Sequence, residues 1–174
     1  MTQVCLVGDD DVELRYELLS RETAREALST YDLRAPYRNT IALDTVSLGA
    51  AVSLLNDLNW YLIRFVDQAL VKEPSVSETE WLSRDLAKAI RDDEIAPGDS
   101  GRFLKVFGVV RDDPASESDD ADDASDGESS VANPLPKLVE PMLVTRTGET
   151  LPEYDLRDVE DTVRVRVTEA EFEA

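Results

Sequence analysis

The stretch Gln3-Val4-Cys5-Leu6-Val7-Gly8-Asp9-Asp10-Asp11-Val12-Glu13-Leu14-Arg15-Tyr16-Glu17-Leu18 decides whether the chain opens as a sheet or as a helix. Gln3 to Val7 is a short apolar run stopped by Gly8 and three aspartates. Beyond them Val12, Leu14, Tyr16 and Leu18 alternate with Glu13, Arg15 and Glu17. A period of two puts one side chain in and the next out, which is strand patterning. Gly-Asp-Asp-Asp is turn chemistry, so the preferred reading is an N-terminal hairpin that starts a sheet. A continuous helix from Asp11 to Tyr31 is the rival.

Ser20 then offers an N-cap, with Ala24, Ala27, Leu28 and Tyr31 at helical spacing before Pro36. Thr40 to Val46 is short and rich in β-formers and reads as a strand. Thr45 or Ser47 can cap the next helix, whose buried face is Leu48, Ala51, Val52, Leu55 and Leu58. The helical stripe could continue through Leu62, Phe65 and Val66, but the aromatic and branched run Trp60 to Val66 favours a buried strand after Leu58. Ser77-Glu78-Thr79-Glu80 has the form of a capping box, and Trp81, Leu82, Leu86, Ala89 and Ile90 supply one apolar helix face that Pro97-Gly98 ends. Phe103 to Val110 reads as a further strand.

Composition changes abruptly from Asp112 to Ser130, where nine residues are acidic, none is basic, and the rest are Ala, Ser, Gly and one Pro. Such a segment cannot offset the entropy of ordering and reads as a disordered linker. After it, Met142 to Thr147 and Thr162 to Thr168 are strand-like, with Val163, Val165 and Val167 inward and Arg164 and Arg166 outward. Two strands cannot stand alone, so residues 134–174 are expected to complete the sheet of the 1–111 core, with 112–133 as the acidic insertion. The expected fold class is α+β: a single domain with a mixed or antiparallel sheet and about three helices, interrupted by a disordered acidic insertion.

The 174 residues carry 38 acidic and 18 basic side chains, a formal net charge of −20, and a pI near 4.2. That surface repels nucleic acid and anionic lipid, whose binding needs clustered Lys or Arg. Four lysines against fourteen arginines, under such an acidic excess, suit concentrated salt, where roughly 1 M ions shorten the screening length to about 3 Å. A hydrophobic fraction of 42% leaves enough apolar residues for a core. One cysteine permits no internal disulfide, the first residues lack a basic signal-like segment, and charged residues from Asp44 to Asp67 interrupt the most apolar stretch. A cytoplasmic location is expected, with no membrane and no nucleic acid among its partners.

The chain has no histidine, which removes Ser-His-Asp and Cys-His nucleophiles and the commonest general base. It also lacks Gly-x-Gly-x-x-Gly and Gly-Lys-Ser/Thr loops. No cofactor is expected and no catalytic residue is assigned. Carboxylates remain the best chemistry, with Asp10, Asp11 and Asp44 as weak metal candidates. Strand-end acids with a late lysine, Lys105, superficially resemble the two-component receiver family. Only 33 residues separate Asp11 from Asp44, however, too few for the two helices and strand of that fold. Cys5 reads as a buried inert thiol, Trp60 and Trp81 as core or core-edge residues. Arg146, Arg157, Arg164 and Arg166 read as solvated ion-pair partners of the acids between them.

The segments Tyr31-Asp32-Leu33-Arg34-Ala35-Pro36-Tyr37-Arg38-Asn39-Thr40 and Trp81-Leu82-Ser83-Arg84, with Asp57 between them, make the chain resemble a family of small acidic proteins of halophilic archaea with no assigned activity. The resemblance implies a haloarchaeal cytoplasm and carries over no catalytic residue. The expected function is contact with an unidentified protein partner. The alternatives are a small carboxylate- and magnesium-dependent phosphoryl-transfer or receiver-like enzyme, and a nucleic-acid-associated module.

Overall fold

The computed structural model describes residues 1–110, 135–146, 159 and 161–173. Seven strands among them form one sheet in the order β2-β1-β3-β4-β7-β5-β6. Their ranges are β1 (Thr2–Gly8), β2 (Thr40–Thr45), β3 (Val66–Lys72), β4 (Trp81–Ser83), β5 (Phe103–Val110), β6 (Lys137–Thr145) and β7 (Asp161–Val167). All neighbours pair antiparallel except β4 and β7, which run parallel with Leu82 opposite Arg166, so the sheet is mixed. Six α-helices accompany it: α1 (Leu14–Leu19), α2 (Glu22–Leu28), α3 (Leu48–Asp57), α4 (Asn59–Phe65), α5 (Arg84–Arg91) and α6 (Glu169–Glu173). The chain is thus a single α+β domain, with more and shorter helices than expected. The segment 112–133 assigned to the acidic insertion lies outside the described residues.

The opening stretch turns into a helix rather than a second strand. Leu14 and Leu18 are fully buried while Tyr16 between them is 64% exposed. A spacing of four satisfies period two and period 3.6 alike, and the fate of the middle residue separates them. The turn is fixed from outside by Asn39, whose Oδ1 accepts from the Leu14 N–H at 2.9 Å. Its Nδ2 donates to the Asp9 and Val12 carbonyls at 2.9 and 3.0 Å. Ser20 ends α1 and does not cap α2, which starts after Arg21 without a side-chain cap.

A second correction falls at 60–66, expected as a strand and found as α4. Leu58 and Leu62 stay on the buried stripe begun by Leu55, while Trp60 and Ile63 face out at 49% and 69% exposure. The strand follows at Val66, one element later than its aromatic composition suggested. The aromatics instead pack edge-on among themselves, Trp60 against Tyr61 and Phe65, with Arg64 stacked 3.8 Å over the Trp60 ring. Trp60 is therefore a surface residue, whereas Trp81 is buried.

The third correction concerns the capping box. Ser77 Oγ accepts from the backbone N–H groups of Thr79 and Glu80 at 3.2 and 3.0 Å. Glu80 nevertheless turns away into the protein, and the chain continues into β4. The helix starts at Arg84, capped by Ser83 Oγ accepting from the Leu86 N–H at 3.2 Å. It ends at Asp92, beside Asp93 at φ 62°, and Pro97–Asp99 form a separate 3₁₀ turn.

Two large apolar clusters cover the two faces of the sheet, and Leu104, Val106 and Val144 form a third, smaller one. On one, Val4, Leu6, Ile41, Leu43, Val71 and Leu82 receive Leu14, Leu18, Leu55, Leu62, Leu86 and Ile90 from α1 and α3–α5. On the other, Cys5, Ala42 and Leu70 share a cluster with Trp81, Phe107, Val109, Val163, Val165 and Val167. The sheet also curls enough for its two ends to approach, since Val7, Gly8 and Arg38 share a cavity with Lys137 and Leu138. The Arg38 N–H donates to the Pro136 carbonyl at 2.7 Å and ties the approach of β2 to that of β6. The Phe172 ring of α6 lies 4.9 Å from that of Phe103.

Candidate functional site

Strand alternation builds the site. Leu82, Leu104, Val144 and Arg166 share one face, since Leu82 pairs with Arg166, Arg166 with Leu104, and Leu104 with Val144. Two residues further along each chain, the same face receives Glu80 before Leu82, Arg102 before Leu104 and Arg146 after Val144. The Arg146 N–H continues the ladder by donating to the Arg102 carbonyl at 2.8 Å. Arg164 follows on that face one pair up β7, opposite Val106. Four arginines and one glutamate thereby collect at one end of the sheet, beyond the helix-covered core.

Glu80 is 4% exposed. Its Oε1 accepts from Arg166 Nε at 2.7 Å, its Oε2 is bonded by Arg146 Nη2, and Arg164 Nη1 stands 3.8 Å from Oε2. Burial alone would raise the carboxyl's pKa, but the Arg166 and Arg146 hydrogen bonds and charges outweigh it and hold the pKa below the usual value. Arg166 is fixed again by its Nη1 donating to Ser100 Oγ at 3.0 Å, and that hydroxyl donates to the Pro97 carbonyl at 2.6 Å. Pro97, Asp99, Gly101, Arg102, Arg146 and Arg166 line a cavity of about 660 Å³. A Cβ on Gly101 would come within 2.9 Å of Arg146 Nη1 and 3.3 Å of Arg166 Cζ, so glycine leaves the guanidiniums their seats.

Of the arginines expected as solvated pairs, Arg164 is half-exposed as expected, whereas Arg146 and Arg166 are mostly covered. Arg166 points away from the valine face of β7 as expected, yet it is mostly covered, and Arg146 joins it on one buried carboxylate. Arg157 lies outside the described residues. Glu80 was read as a helix-cap partner and Arg102 passed unremarked. The signal that finds both is parity, each standing two residues ahead of an apolar strand residue on the helix-side face. Among the described residues, Asp99 lines the same cavity as Arg102, Arg146 and Arg166.

The acidic candidates scatter. Asp10 and Asp11 border a second cavity of about 630 Å³ with Glu13, Arg38, Asn39 and Lys137. Asp44 lies opposite Gln3, five residues down β1 from Gly8, or roughly 17 Å along a strand. There it pairs with Arg34 at 3.1 and 3.3 Å. Calcium or magnesium needs its oxygens within about 2.6 Å of one centre, so these three aspartates do not share an ion. Among the described residues no three His, Cys, Asp or Glu side chains group as metal ligands. Asp9 has its pKa raised by local burial and by Asp67, Asp11 and Asp10, the signature of acids crowding one another. Lys105 sits mid-strand between Leu143 and Val165. Cys5 is a free thiol that burial pushes up to about 12. Among the described residues no helix is long and apolar enough to cross a membrane.

Fold and site together define a single-domain α+β protein whose helix-side sheet face ends in an arginine cavity organised by one buried glutamate. The chain belongs to DUF5804, a family of unknown function, which it matches over residues 2–109. That span includes Glu80, Arg102 and the Asn39 turn, while Arg146, Arg164 and Arg166 follow it. No curated protein and no solved structure matches the chain.

Proposed function

We propose that this chain is a non-catalytic cytoplasmic protein of a halophilic archaeon that acts through protein–protein contact, docking an acidic segment of its partner in the arginine cavity. The observation that carries the reading is the gathering of Arg102, Arg146 and Arg166 around one cavity, with half-exposed Arg164 beside them at Glu80, in a chain of net charge −20. Long-range steering is of little use in concentrated salt, where screening acts within about 3 Å. Guanidinium forks in direct contact with carboxylates still operate at that range and supply geometric selectivity. Arg146 and Arg166 are already fixed by Glu80 and Ser100, so little further ordering is needed when a partner arrives.

A labelled polyglutamate peptide tests this directly, with binding followed by fluorescence anisotropy in potassium chloride buffer. Saturable binding is expected in the native chain and its loss in Arg102→Glu/Arg164→Glu. A pull-down at multimolar salt should return one stoichiometric protein that the same variant fails to hold. Unchanged binding in the variant, or none in the native chain, would sink the proposal.

A further inference from the structure

We infer that the arginine cavity selects a doubly charged oxyanion, a phosphate or phosphate monoester, over a single carboxylate. The inference rests on the docking role proposed for the same cavity and names the chemistry of the docked group.

Charge balance is the first argument. Arg102, Arg146 and Arg166 line the cavity with Asp99, and Arg164 adjoins them 3.8 Å from Glu80 Oε2; against Glu80 and Asp99 these four arginines leave two positive charges unmatched among the described residues. A structural role for Glu80 accounts for two arginines, since each of its oxygens already holds one. Arg102 meets no described carboxylate; its guanidinium lies 5.3 Å from the Phe103 ring and borders the cavity. One carboxylate ligand would leave a charge uncompensated, whereas a phosphate monoester carries about −1.5 to −2 near neutral pH.

Donor geometry is the second. Among the described residues Arg146 spends Nη2 on Glu80, which leaves its Nε and Nη1, while Arg166 spends Nε and Nη1 on Glu80 and Ser100, which leaves its Nη2. With the whole of Arg102, three guanidiniums offer N–H groups around one cavity. Three terminal phosphate oxygens can take them one to each guanidinium, whereas a carboxylate must share its two oxygens among the three. The cavity, about 660 Å³, also accommodates the group that carries the phosphate.

The test is calorimetric titration of the full chain at fixed ionic strength set by potassium chloride. The probes are inorganic phosphate, glycerol phosphate, acetate, and two peptides alike except for phosphoserine or glutamate at one position. Phosphate-bearing probes are expected to bind at least about tenfold more tightly than their carboxylate counterparts. Arg102→Ala should weaken phosphate binding about fivefold or more, since Arg102 holds no described carboxylate and its loss leaves the Glu80 network in place. Lys137→Ala, at the other cavity, is expected to leave binding unchanged. Preference for the phosphopeptide over inorganic phosphate would support the inference with the group on a protein. Parity between them would support it with the group on a small molecule. Equal binding of phosphate and carboxylate probes overturns the inference and spares the docking role. Binding by none of them, polyglutamate included, overturns both, and phosphate binding undiminished in Arg102→Ala overturns the assignment to this cavity.

Discussion

Arg166 and Glu80 meet across the parallel pair β4 and β7, with the Arg166 Nε–H donating to Glu80 Oε1 at 2.7 Å from one strand to the approach of the next. This is the contact that closes the arginine end of the sheet. Glu80→Gln keeps the shape and removes the charge, leaving Arg146 and Arg166 facing a neutral amide. A loss of about 2 kcal/mol in urea unfolding at pH 7 is expected, the scale of charged hydrogen bonds lost in a partly buried site. Because the Glu80 pKa is depressed in the folded chain, its contribution is present above its ordinary value of 4.5 and fades as pH falls through the lower folded value. The gap between native chain and variant should therefore close below about pH 4.5. A gap constant from pH 7 to pH 3 would contradict the assignment.

Asn39 is predicted to be the keystone of the β1–α1 turn. It sits at φ 59°, a conformation that favours Asn or Gly, and its amide makes three hydrogen bonds to the turn. Asn39→Gly loses the bonds and keeps the backbone; Asn39→Ala loses both and should cost about 1 kcal/mol more. Gly8→Ala should also destabilise, by roughly 1 to 3 kcal/mol, since its Cβ would meet Asn39 Nδ2 at 2.7 Å and Leu14 Cβ at 2.8 Å. Thermal unfolding monitored by circular dichroism orders these variants, and equal melting temperatures for Gly and Ala at position 39 would remove the backbone part of the argument.

The same turn explains what was legible in the sequence. Strands β1, β2, β5 and β7 stand where runs of Val, Ile, Leu and Phe put them, and α3 starts at the Ser47 cap that local chemistry indicated. Leu14 and Leu18 did not discriminate strand from helix, because only the distant Asn39 amide selects the helix. Strand β3 was missed, its Asp67 and Gln68 hiding an interior position between β1 and β4. Ser77-x-x-Glu80 and Thr168-x-x-Glu171 have one form, yet only the second closes reciprocally, each residue's side chain accepting the other's N–H at 3.1 and 3.0 Å. Glu80 is drawn off by arginines 66 and 86 residues downstream, a competition no local window contains. The arginine site was hidden for that reason, since it exists only once four strands are in register.

Cys5 should be unreactive in the folded chain. It lies at 0% exposure among Ala42, Leu70 and Trp81, and burial pushes its thiol to about 12, so almost no thiolate exists at pH 8. Labelling by a thiol-specific disulfide reagent is expected only as fast as the sheet opens, rising with urea in step with unfolding. Prompt stoichiometric labelling of native protein would show that the curled face of the sheet is not closed.

Salt dependence follows from the size of the acidic excess, 38 acidic against 18 basic side chains. Ion pairs outside the Glu80 cluster such as Arg21 with Glu17, Arg34 with Asp44 and Arg91 with Asp92 are partly exposed at the surface. Exposed pairs of that kind contribute about 0.2 to 1 kcal/mol each and cannot balance a net charge of −20. Repulsion such as that crowding Asp9, Asp10, Asp11 and Asp67 must be screened by the solvent instead. Potassium chloride at about 1 M cuts the screening length to roughly 3 Å, shorter than most carboxylate separations on a protein surface. Ellipticity and melting temperature should therefore fall as potassium chloride is lowered, and the loss should be repaired by neutralising residues at the Asp9 to Asp11 turn. The Glu80 cluster, whose contacts are direct, should respond least. Ellipticity undiminished in salt-free buffer would mean that the core alone holds the fold, and that the acidic surface calls for some reason other than concentrated salt.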